Sequence, residues 1–438
     1  MKDKKQNKRI NGGHRLLFFC ILCLFGLYVA VSYAEEQPQR EQSKTKVILL
    51  HTDNLTYDQY RHPGAQILTG NVQFQHDGVL MYCDSACFYE ATNSFDAFGH
   101  VKMVQGDTLD LVGDMLLYNG LDQLARVRHN VVLTHRESKL YTDSLDYDRL
   151  YELGYFFEGG KLVDKDNVLT SDWGQYSPPT RQAVFNYNVK LENPKFTLIS
   201  DTLNYNTLTS MAEIVGPSNI DSGDNHIYSE SGFYNTQTEE AILLDRSIVT
   251  NKGRKMVGDS LYYDSKSGVG EGFRNVVYTD EVNKNMLTGN YCYYNDSTGY
   301  SMATDSAVAI DYSQRDTMYM HADTFKVYTF YMDTDSMYRE VRGYHKVRSY
   351  RMDVQSVCDS LVFDSRDTCI TMYRDPIVWN GGQQVLGEGI KVYLNDSTID
   401  RIHVIDQTLS VERIDSVHYN QVAGKEMTSY FRDGEMYE

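Results

Sequence analysis

The chain repeats one short pattern with a period of 29 residues. In each copy an acidic or polar residue is followed four positions later by an aromatic residue. The copies begin at Asp84, Asp114, Asp143, Asp172, Asp201, Glu230, Asp259, Asn290, Asp323, Asp359 and Glu388, with Val327 and Val392 replacing the aromatic residue in two of them. A fixed period of this size indicates stacked supersecondary units, each too small to bury its apolar face alone. The sequence therefore predicts about eleven units of one structure.

The pattern within one unit is typical of β-strands. Leu145 and Tyr147 share one face of an alternating stretch, and Ser144 and Asp146 share the other. A second apolar stretch, such as the one that begins at Asn130, follows about 17 residues after each acidic position. Gly and Asn separate the stretches, and no segment after residue 46 has a sustained helical period. Each unit is therefore predicted to be strand, turn, strand, turn.

The first 34 residues have the composition of a secretory signal peptide. Six basic residues precede a mostly apolar run from Leu16 to Val31, and Ala34 ends a small-residue cleavage pattern. This arrangement predicts export with cleavage after Ala34. An uncleaved anchor is the alternative, although a spanning helix needs about 20 apolar residues and this run is shorter. Residues 35–46 are polar and are predicted to form a disordered linker.

The composition is strongly acidic. The formal net charge is −18, and removal of the predicted signal, which carries six basic residues and one acidic residue, changes it to −23. Nucleic-acid binding requires surface clusters of Lys and Arg, so no nucleic-acid partner is expected. The five cysteines after residue 34 are too few for a disulfide framework, and they include no Cys-x-x-Cys pair. The sequence therefore predicts neither a metal centre nor a cofactor.

The repeated acidic position has two interpretations. If the units stack in register, the carboxylates repel one another unless a row of cations lies between them. Alternatively, an Asp followed by Ser or Thr, as at Asp143 and Asp201, caps a turn by accepting hydrogen bonds from nearby backbone N–H groups. We favour the second interpretation because Glu230, Asn290 and Glu388 interrupt the row.

One copy of the repeat spells a hydrolase motif. Gly258-Asp259-Ser260-Leu261 resembles the signature of the GDSL esterases, and Asp400 and His403 would complete a catalytic triad. The same strand start recurs in Thr142-Asp143-Ser144-Leu145, where the motif is absent. The esterase fold also needs helices that the sequence does not predict. We therefore predict that the protein is not an enzyme.

Three short motifs resemble a known family. They are Leu68-Thr69-Gly70-Asn71-Val72-Gln73-Phe74, Gly99-His100-Val101-Lys102-Met103 and Gly106-Asp107-Thr108-Leu109. Together with the signal peptide they resemble the OstA-like proteins, which are similar to the periplasmic lipopolysaccharide-transport protein A and the N-terminal domain of the outer-membrane assembly protein D. The resemblance is clearest over residues 47–205, and the many-unit form is similar to the Bacteroidetes branch. It implies an all-β fold, an elongated repeat β-jelly-roll whose two sheets form a V-shaped, taco-like slot.

The resemblance also implies a function. In this family acyl chains of lipopolysaccharide occupy the slot, and molecules join end to end to bridge the periplasm. The chain is therefore expected to be a periplasmic lipid-binding bridge protein. Its expected partners are lipopolysaccharide and other β-jelly-roll transport proteins, including an outer-membrane assembly component. Alternation along the strands predicts the slot residues, which are Val101, Met103, Leu116, Tyr118, Val131, Leu133, Leu145, Tyr147, Val189, Leu191, Leu203, Tyr205, Leu261 and Tyr263.

The regularity of the repeat divides the chain. The period is strict from Asp114 to Asp259 and slips between Asn290 and Asp359. We therefore predict jelly-roll repeats over residues 47–310 and further β repeats, a second jelly-roll or a cap, over residues 311–438. The strand-like pattern continues to Glu438, which is typical of an incomplete chain. Two rival functions are an exported structural or adhesive β-solenoid with a filled core, and a carbohydrate-binding protein with a tyrosine-lined face.

Overall fold

The computed structural model describes residues 45–313, 315–332, 334–395, 398–432 and 435–436. The predicted signal peptide and most of the predicted linker lie outside the described residues. Within them the chain folds almost entirely into antiparallel strands, with one 3-10 turn at Glu90–Thr92. No helix in this part of the chain is both long and apolar enough to cross a bilayer. The all-β prediction is confirmed.

The described residues form 33 strands. In chain order they are β1 (Ile48–His51), β2 (Asn54–Tyr57), β3 (Gln66–His76), β4 (Val79–Tyr89), β5 (Ser94–Gln105), β6 (Leu109–Asn119), β7 (Leu124–His135), β8 (Ser138–Asp148), β9 (Leu153–Phe156), β10 (Gly160–Asp164), β11 (Asn167–Ser171), β12 (Trp173–Ser177), β13 (Gln182–Asn193), β14 (Phe196–Asn206), β15 (Met211–Ser222), β16 (Asn225–Asn235), β17 (Glu240–Leu244), β18 (Ile248–Asn251), β19 (Arg254–Val257), β20 (Ser260–Asp264), β21 (Val269–Asp280), β22 (Asn285–Asn295), β23 (Tyr300–Asp311), β24 (Met318–Phe330), β25 (Tyr338–Tyr350), β26 (Val354–Asp364), β27 (Cys369–Tyr373), β28 (Ile377–Asn380), β29 (Gln383–Leu386), β30 (Gly389–Asn395), β31 (Thr398–Arg413), β32 (Tyr419–Arg432) and β33 (Glu435–Met436).

The strands pair in chain order and form one continuous antiparallel meander. Long strands such as β5, β6 and β7 pair with the strand before and the strand after. Shorter strands are the two halves of an interrupted long strand and keep separate partners. For example, β8 pairs with β10 through Leu140 and with β9 through Leu145. Each long strand therefore consists of two arms.

A bend separates the two arms. The register shifts there, as it does between Val112 and Met115 where β6 pairs with β7. On β7 two consecutive residues take left-handed φ angles, 62° at His129 and 52° at Asn130. Among residues other than Gly, Asn, Asp and His adopt such angles most readily, which explains the recurrence of Asn and His at this position. The bends are β-bulges that turn the strand.

The bends divide the meander into two facing walls. Residues 115–119 and 124–128 lie in the first wall, and residues 109–112 and 131–135 lie in the second wall. Side chains of opposite walls meet in the space between them. Phe74 of the second wall stacks on Phe95 of the first wall with 4.1 Å between the ring centroids. This is the β-jelly-roll arrangement that the sequence predicts, and each unit adds two strands to each wall.

The hydrophobic core has two parts. The first cluster of buried residues runs from Val47 to Leu261, and the second runs from Val276 to Phe431. The side chain of Met256 packs against both clusters. We call residues 45–264 the amino-terminal segment and residues 269–432 the carboxy-terminal segment. Strand pairing continues across residue 311, through β23 and β24, and the domain boundary predicted there stays a prediction.

The bulges also reverse the alternation of side chains. Cys83 and Ala86 both belong to the first hydrophobic cluster, with a register shift between them, so that Cys87 points away from it. Strict alternation would place Cys83 and Cys87 on one face of the strand, and the bulge places them on opposite faces. All five described cysteines are free and buried, and burial raises the pKa of the Cys83 thiol to about 12.

Candidate functional site between the two walls

The predicted slot residues lie in the interior of the amino-terminal segment. Thirteen of the fourteen belong to the first hydrophobic cluster, and none of these is more than 2 % exposed. The fourteenth, Tyr263, is half-buried. These side chains pack against one another and fill the space between the walls. In this segment the interior is therefore a closed core and not an open slot.

Hydrogen bonds between the walls hold the first part of this core shut. The hydroxyl of Tyr118, on the first wall, lies 2.7 Å from Nδ1 of His76 on the second wall. The guanidinium of Arg149 donates to the same hydroxyl, and all three side chains are buried. Burial lowers the pKa of His76. The positive charge of Arg149 lowers this pKa as well, whereas the carboxylate of Asp77 raises it. A neutral imidazole is therefore the form that fits this contact.

Two further contacts of the same kind follow along the core. Nδ1 of His135 lies 2.8 Å from the hydroxyl of Tyr176. The hydroxyl of Tyr205 donates to Oδ2 of Asp164 at 2.8 Å and accepts a hydrogen bond from Asn167 at 2.9 Å. In each case the tyrosine comes from the first wall and its partner from the second. We call these three contacts, at Tyr118, Tyr176 and Tyr205, the tyrosine clasps.

Tyr147, the tyrosine between the first two clasps, has no hydrogen-bond partner among the described residues. Its hydroxyl is buried, and Oε1 of Gln105 and Nε of Arg149 are likewise buried and unpaired within this part of the chain. Buried polar atoms are usually satisfied, so an unpaired hydroxyl in a fully buried residue is unusual. The position is therefore held by packing alone, which makes Tyr147 a natural control for the clasps.

The residues that bond to the clasp tyrosines were not predicted from the sequence, although the sequence carries a signal for them. His76, His135 and Asp164 precede their tyrosines by 42, 41 and 41 residues. Each is a polar residue at the end of a strand, where the alternation predicts an inward side chain. A search for polar residues that lie 41 or 42 positions before a tyrosine of the repeat would have found all three.

The carboxy-terminal segment has the same two walls but a different lining. At the position of the clasp tyrosines this segment keeps Tyr294, whereas Val327, Phe363 and Val392 have no hydroxyl group. Leu287, Met320 and Val341 pack against the second cluster yet remain only partly buried. Some inward apolar side chains of this segment are therefore less deeply buried than those of the amino-terminal segment.

The repeated acidic residues lie on the outside of the bends. Asp114 accepts a hydrogen bond from Asn130 at 2.7 Å, and Asp172 accepts one from Asn188 at 2.7 Å. Asp84 lies 2.7 Å from Nδ1 of His100. Side chains of the neighbouring strand thus separate these carboxylates. At Asp143 the carboxylate also accepts a hydrogen bond from the backbone N–H of Asn130 at 3.3 Å, as the turn-capping interpretation expects. No group of three or more metal-ligating side chains occurs among the described residues.

The hydrolase motif is part of the same row. Asp259 lies at the bend between β19 and β20, where Asn275 and Arg246 bind its carboxylate. Ser260 begins β20, which pairs with β17 and β21. His403 lies on β31 beside Glu426. Ser260 is therefore part of strand β20, and Asp259 is part of the bend before it.

Comparison with known proteins gives a matching family model and several matching solved structures. A family model described as OstA-like protein matches residues 44–201 and 195–259. One of the solved structures is LptH from Pseudomonas aeruginosa, described as the LptA-homologous periplasmic component of the lipopolysaccharide transport device. It is 12 % identical and has a TM-score of 0.17, with 39 % of this chain and 93 % of that chain covered. No curated protein matches the chain. The family match ends at residue 259, close to where the hydrophobic core divides.

Proposed function

Because the chain is an OstA-like protein over residues 44–259, we propose that it carries lipopolysaccharide and holds the acyl chains between its two walls. The observation that carries this proposal is the inward apolar lining, which continues through both hydrophobic clusters and joins them at Met256. Each CH₂ group of an acyl chain in water costs about 0.8 kcal/mol. Such a lining gives the chains an apolar path and requires no catalysis, so the protein is a carrier and not an enzyme.

The ends of the sheet support a role as a bridge in the periplasm. Within the described residues β1 and β2 pair only with β3, and they expose Ile48 by 54 % and Tyr57 by 66 %. An unpaired strand edge can accept a strand from another chain. The proposed partners are therefore other β-jelly-roll transport proteins joined edge to edge, including an outer-membrane assembly component.

The predicted slot residues of the amino-terminal segment would line the path in this proposal. Since they now pack against one another, acyl chains can pass only where the walls part at the tyrosine clasps. A neutral hydrogen bond contributes about 0.5–1.5 kcal/mol net. Burial of a few CH₂ groups, at about 0.8 kcal/mol each, offsets the loss of one clasp.

Lipid binding and depletion together test the proposal. The purified full chain is expected to bind lipid A, and its depletion from cells is expected to reduce lipopolysaccharide at the surface and make the outer membrane leaky. The proposal fails if the purified chain does not bind lipid A and depletion leaves lipopolysaccharide export unchanged.

A second candidate function is an exported structural or adhesive β-solenoid. The closed packing of the amino-terminal segment favours it, because a core filled by its own side chains needs no guest. This function predicts that the chain binds no lipid and that photoreactive groups placed in the interior give only protein adducts.

A further inference from the structure

The outward side of the second wall changes its chemistry along the chain. In the amino-terminal segment many outward positions carry charged side chains, such as Lys102, Asp110, Lys139 and Lys161. Nζ of Lys102 lies 3.4 Å from Oδ2 of Asp110 on the next strand. An antiparallel sheet that packs on its core with one side and meets water with the other shows this pattern. The amino-terminal segment therefore has an apolar interior and a polar exterior.

The same side of the carboxy-terminal segment is mostly apolar. Inward residues of its second wall, such as Ala307 and Val378, are buried, so their neighbours along each strand point outward. We define the outer apolar face as two such outward residues on each of the strands β22–β26, β28, β29 and β31, from Met286 and Thr288 on β22 to Leu409 and Val411 on β31. Its apolar members include Val308, Ile310, Val357, Ile377, Trp379 and Leu386.

Cross-strand pairing makes this face continuous. The row next to the bends includes Val308, Arg348 and Ile377. The row farther from the bends includes Ile310, Tyr350 and Trp379. None of these outward positions is Asp or Glu, and Tyr350 is 55 % exposed. The strands thus carry apolar side chains on both sides, as strands do that are covered on both sides.

We propose that a second copy of this chain covers the outer apolar face, so that two second walls pack against each other face to face. Sheets packed in this way lie about 10 Å apart, with their strand directions within about 30° of each other. The inference concerns the outside of the walls and does not depend on lipid binding.

The area of the face suits a second copy. Its eight strands span about 40 Å at about 4.8 Å per strand, and two outward residues cover about 13 Å along each strand. Each copy therefore contributes about 500 Å², and the pair buries about 1,000 Å², which is the size at which a specific protein interface begins. An anionic bilayer is a poorer occupant, because the carboxylates of bend residues such as Asp323 and Asp359 border the face.

The two rows of the face complement each other. A two-fold axis that runs across the strands places the row next to the bends of one copy against the other row of the second copy. Ile377 then meets Trp379 of the second copy. Arg348 meets Tyr350 of the second copy, and a guanidinium over an aromatic ring is attractive. The two Arg348 backbones lie about 12 Å apart, beyond the distance at which salt screens their repulsion.

The dimer leaves the edge of the sheet free. The outer apolar face lies across the strands of the carboxy-terminal segment, whereas β1 and β2 lie at the amino-terminal end of the meander and pair with β3. A strand of another protein can therefore still add to that edge while two copies are packed face to face.

A charge placed on the face tests the proposal. Leu386 precedes Glu388 by two residues, and Ile199 precedes Asp201 by the same distance on the outward side of the amino-terminal segment. Sedimentation equilibrium of the full chain between about 1 and about 100 µM measures self-association. We expect a dimer that Leu386→Asp weakens about tenfold or more, because each copy would bury an unpaired carboxylate. Ile199→Asp should change the dissociation constant by less than about twofold, since Ile199 is 51 % exposed and lies outside the face.

Photo-crosslinking keeps the test valid if Leu386→Asp does not fold, which circular dichroism checks. A benzophenone amino acid replaces Gln384 in an unlabelled chain, which is mixed with a chain labelled with heavy nitrogen. The row-to-row arrangement predicts adducts between the two chains at the peptide that contains Leu386. A chain that stays monomeric over the whole concentration range overturns the proposal. Equal weakening by Leu386→Asp and Ile199→Asp, or adducts between chains that fall only on β1 to β3, also overturns it, because the copies would then associate elsewhere.

Discussion

The amino-terminal and carboxy-terminal segments have the same backbone plan and different interiors. Both consist of bent strands whose arms form two walls. In the first segment Tyr118, Tyr176 and Tyr205 bond across the interior, and Leu or Val fills the space behind them. In the second segment Tyr294 keeps the tyrosine, Val327 and Phe363 replace it in the next two copies, and Ala303 and Gly343 lie two residues before the bends. A repeat can thus keep its fold while some of its inward apolar side chains change from fully buried to partly exposed.

The largest expected difference between the segments concerns apolar truncation. Leu203, in the first segment, is fully buried, so Leu203→Ala removes transfer free energy and also leaves a cavity. We expect it to lower the free energy of unfolding by about 2–5 kcal/mol. Leu287→Ala in the second segment should cost under about 1.5 kcal/mol, because solvent already reaches Leu287. Native-state hydrogen exchange measures the stability of each segment separately, and equal losses would contradict the comparison.

A smaller effect is expected at the clasps. Tyr205→Phe leaves Asp164 and Asn167 buried without this partner and should cost about 1–3 kcal/mol. Tyr147→Phe removes a hydroxyl that has no partner, so it should be close to neutral. Thermal unfolding of the two variants compares the same substitution in two equally buried rings. Identical melting temperatures would show that the clasps do not stabilise the core.

Substitutions at the bends are expected to lower the stability by a smaller amount. Asn188 has a left-handed φ of 53° and donates to Asp172, so Asn188→Ala should cost about 1–2 kcal/mol through both the backbone and the lost bond. Lys346 in the second segment has the same φ of 53° but only a long, exposed contact with Asp323. Lys346→Ala should therefore lower the free energy of unfolding by less than Asn188→Ala does. Denaturant titration of both variants makes the comparison, and a larger loss at Lys346 would reverse it.

The smallest expected effect is a dependence on pH in the first segment. Burial lowers the pKa values of His76 and His135 in the folded chain, so both stay neutral where an unfolded histidine, with a pKa of about 6.5, binds a proton. Their contribution is present above that pH and is lost as the pH falls below it. The variant with His76→Gln and His135→Gln should lose less stability than the wild type between pH 7.5 and pH 5.5. A parallel decline of the two proteins in thermal melts would exclude the histidines as the cause.

Alternation and period were enough to predict the strands and the inward direction of residues such as Leu145 and Leu203. They failed wherever a bulge reverses the alternation, as at Cys87, because a bulge adds a residue without a signal of its own. The partners of the tyrosines were not predicted, since His76 and Tyr118 are 42 residues apart and meet only after the walls fold together. Whether the interior is filled depends on the sum of side-chain volumes in both walls, which no single strand reveals.

Photo-crosslinking in cells tests the central claim most directly. A benzophenone amino acid is placed at the partly buried Leu287 and Val341 of the carboxy-terminal segment, at Leu145 and Leu203 in the closed core, and at Thr288, which points outward beside Leu287. The account predicts lipopolysaccharide adducts mainly from Leu287 and Val341, fewer from the closed core and none from the outer face. Protein adducts alone from every interior position, or equal lipopolysaccharide adducts from the outer face, would contradict it.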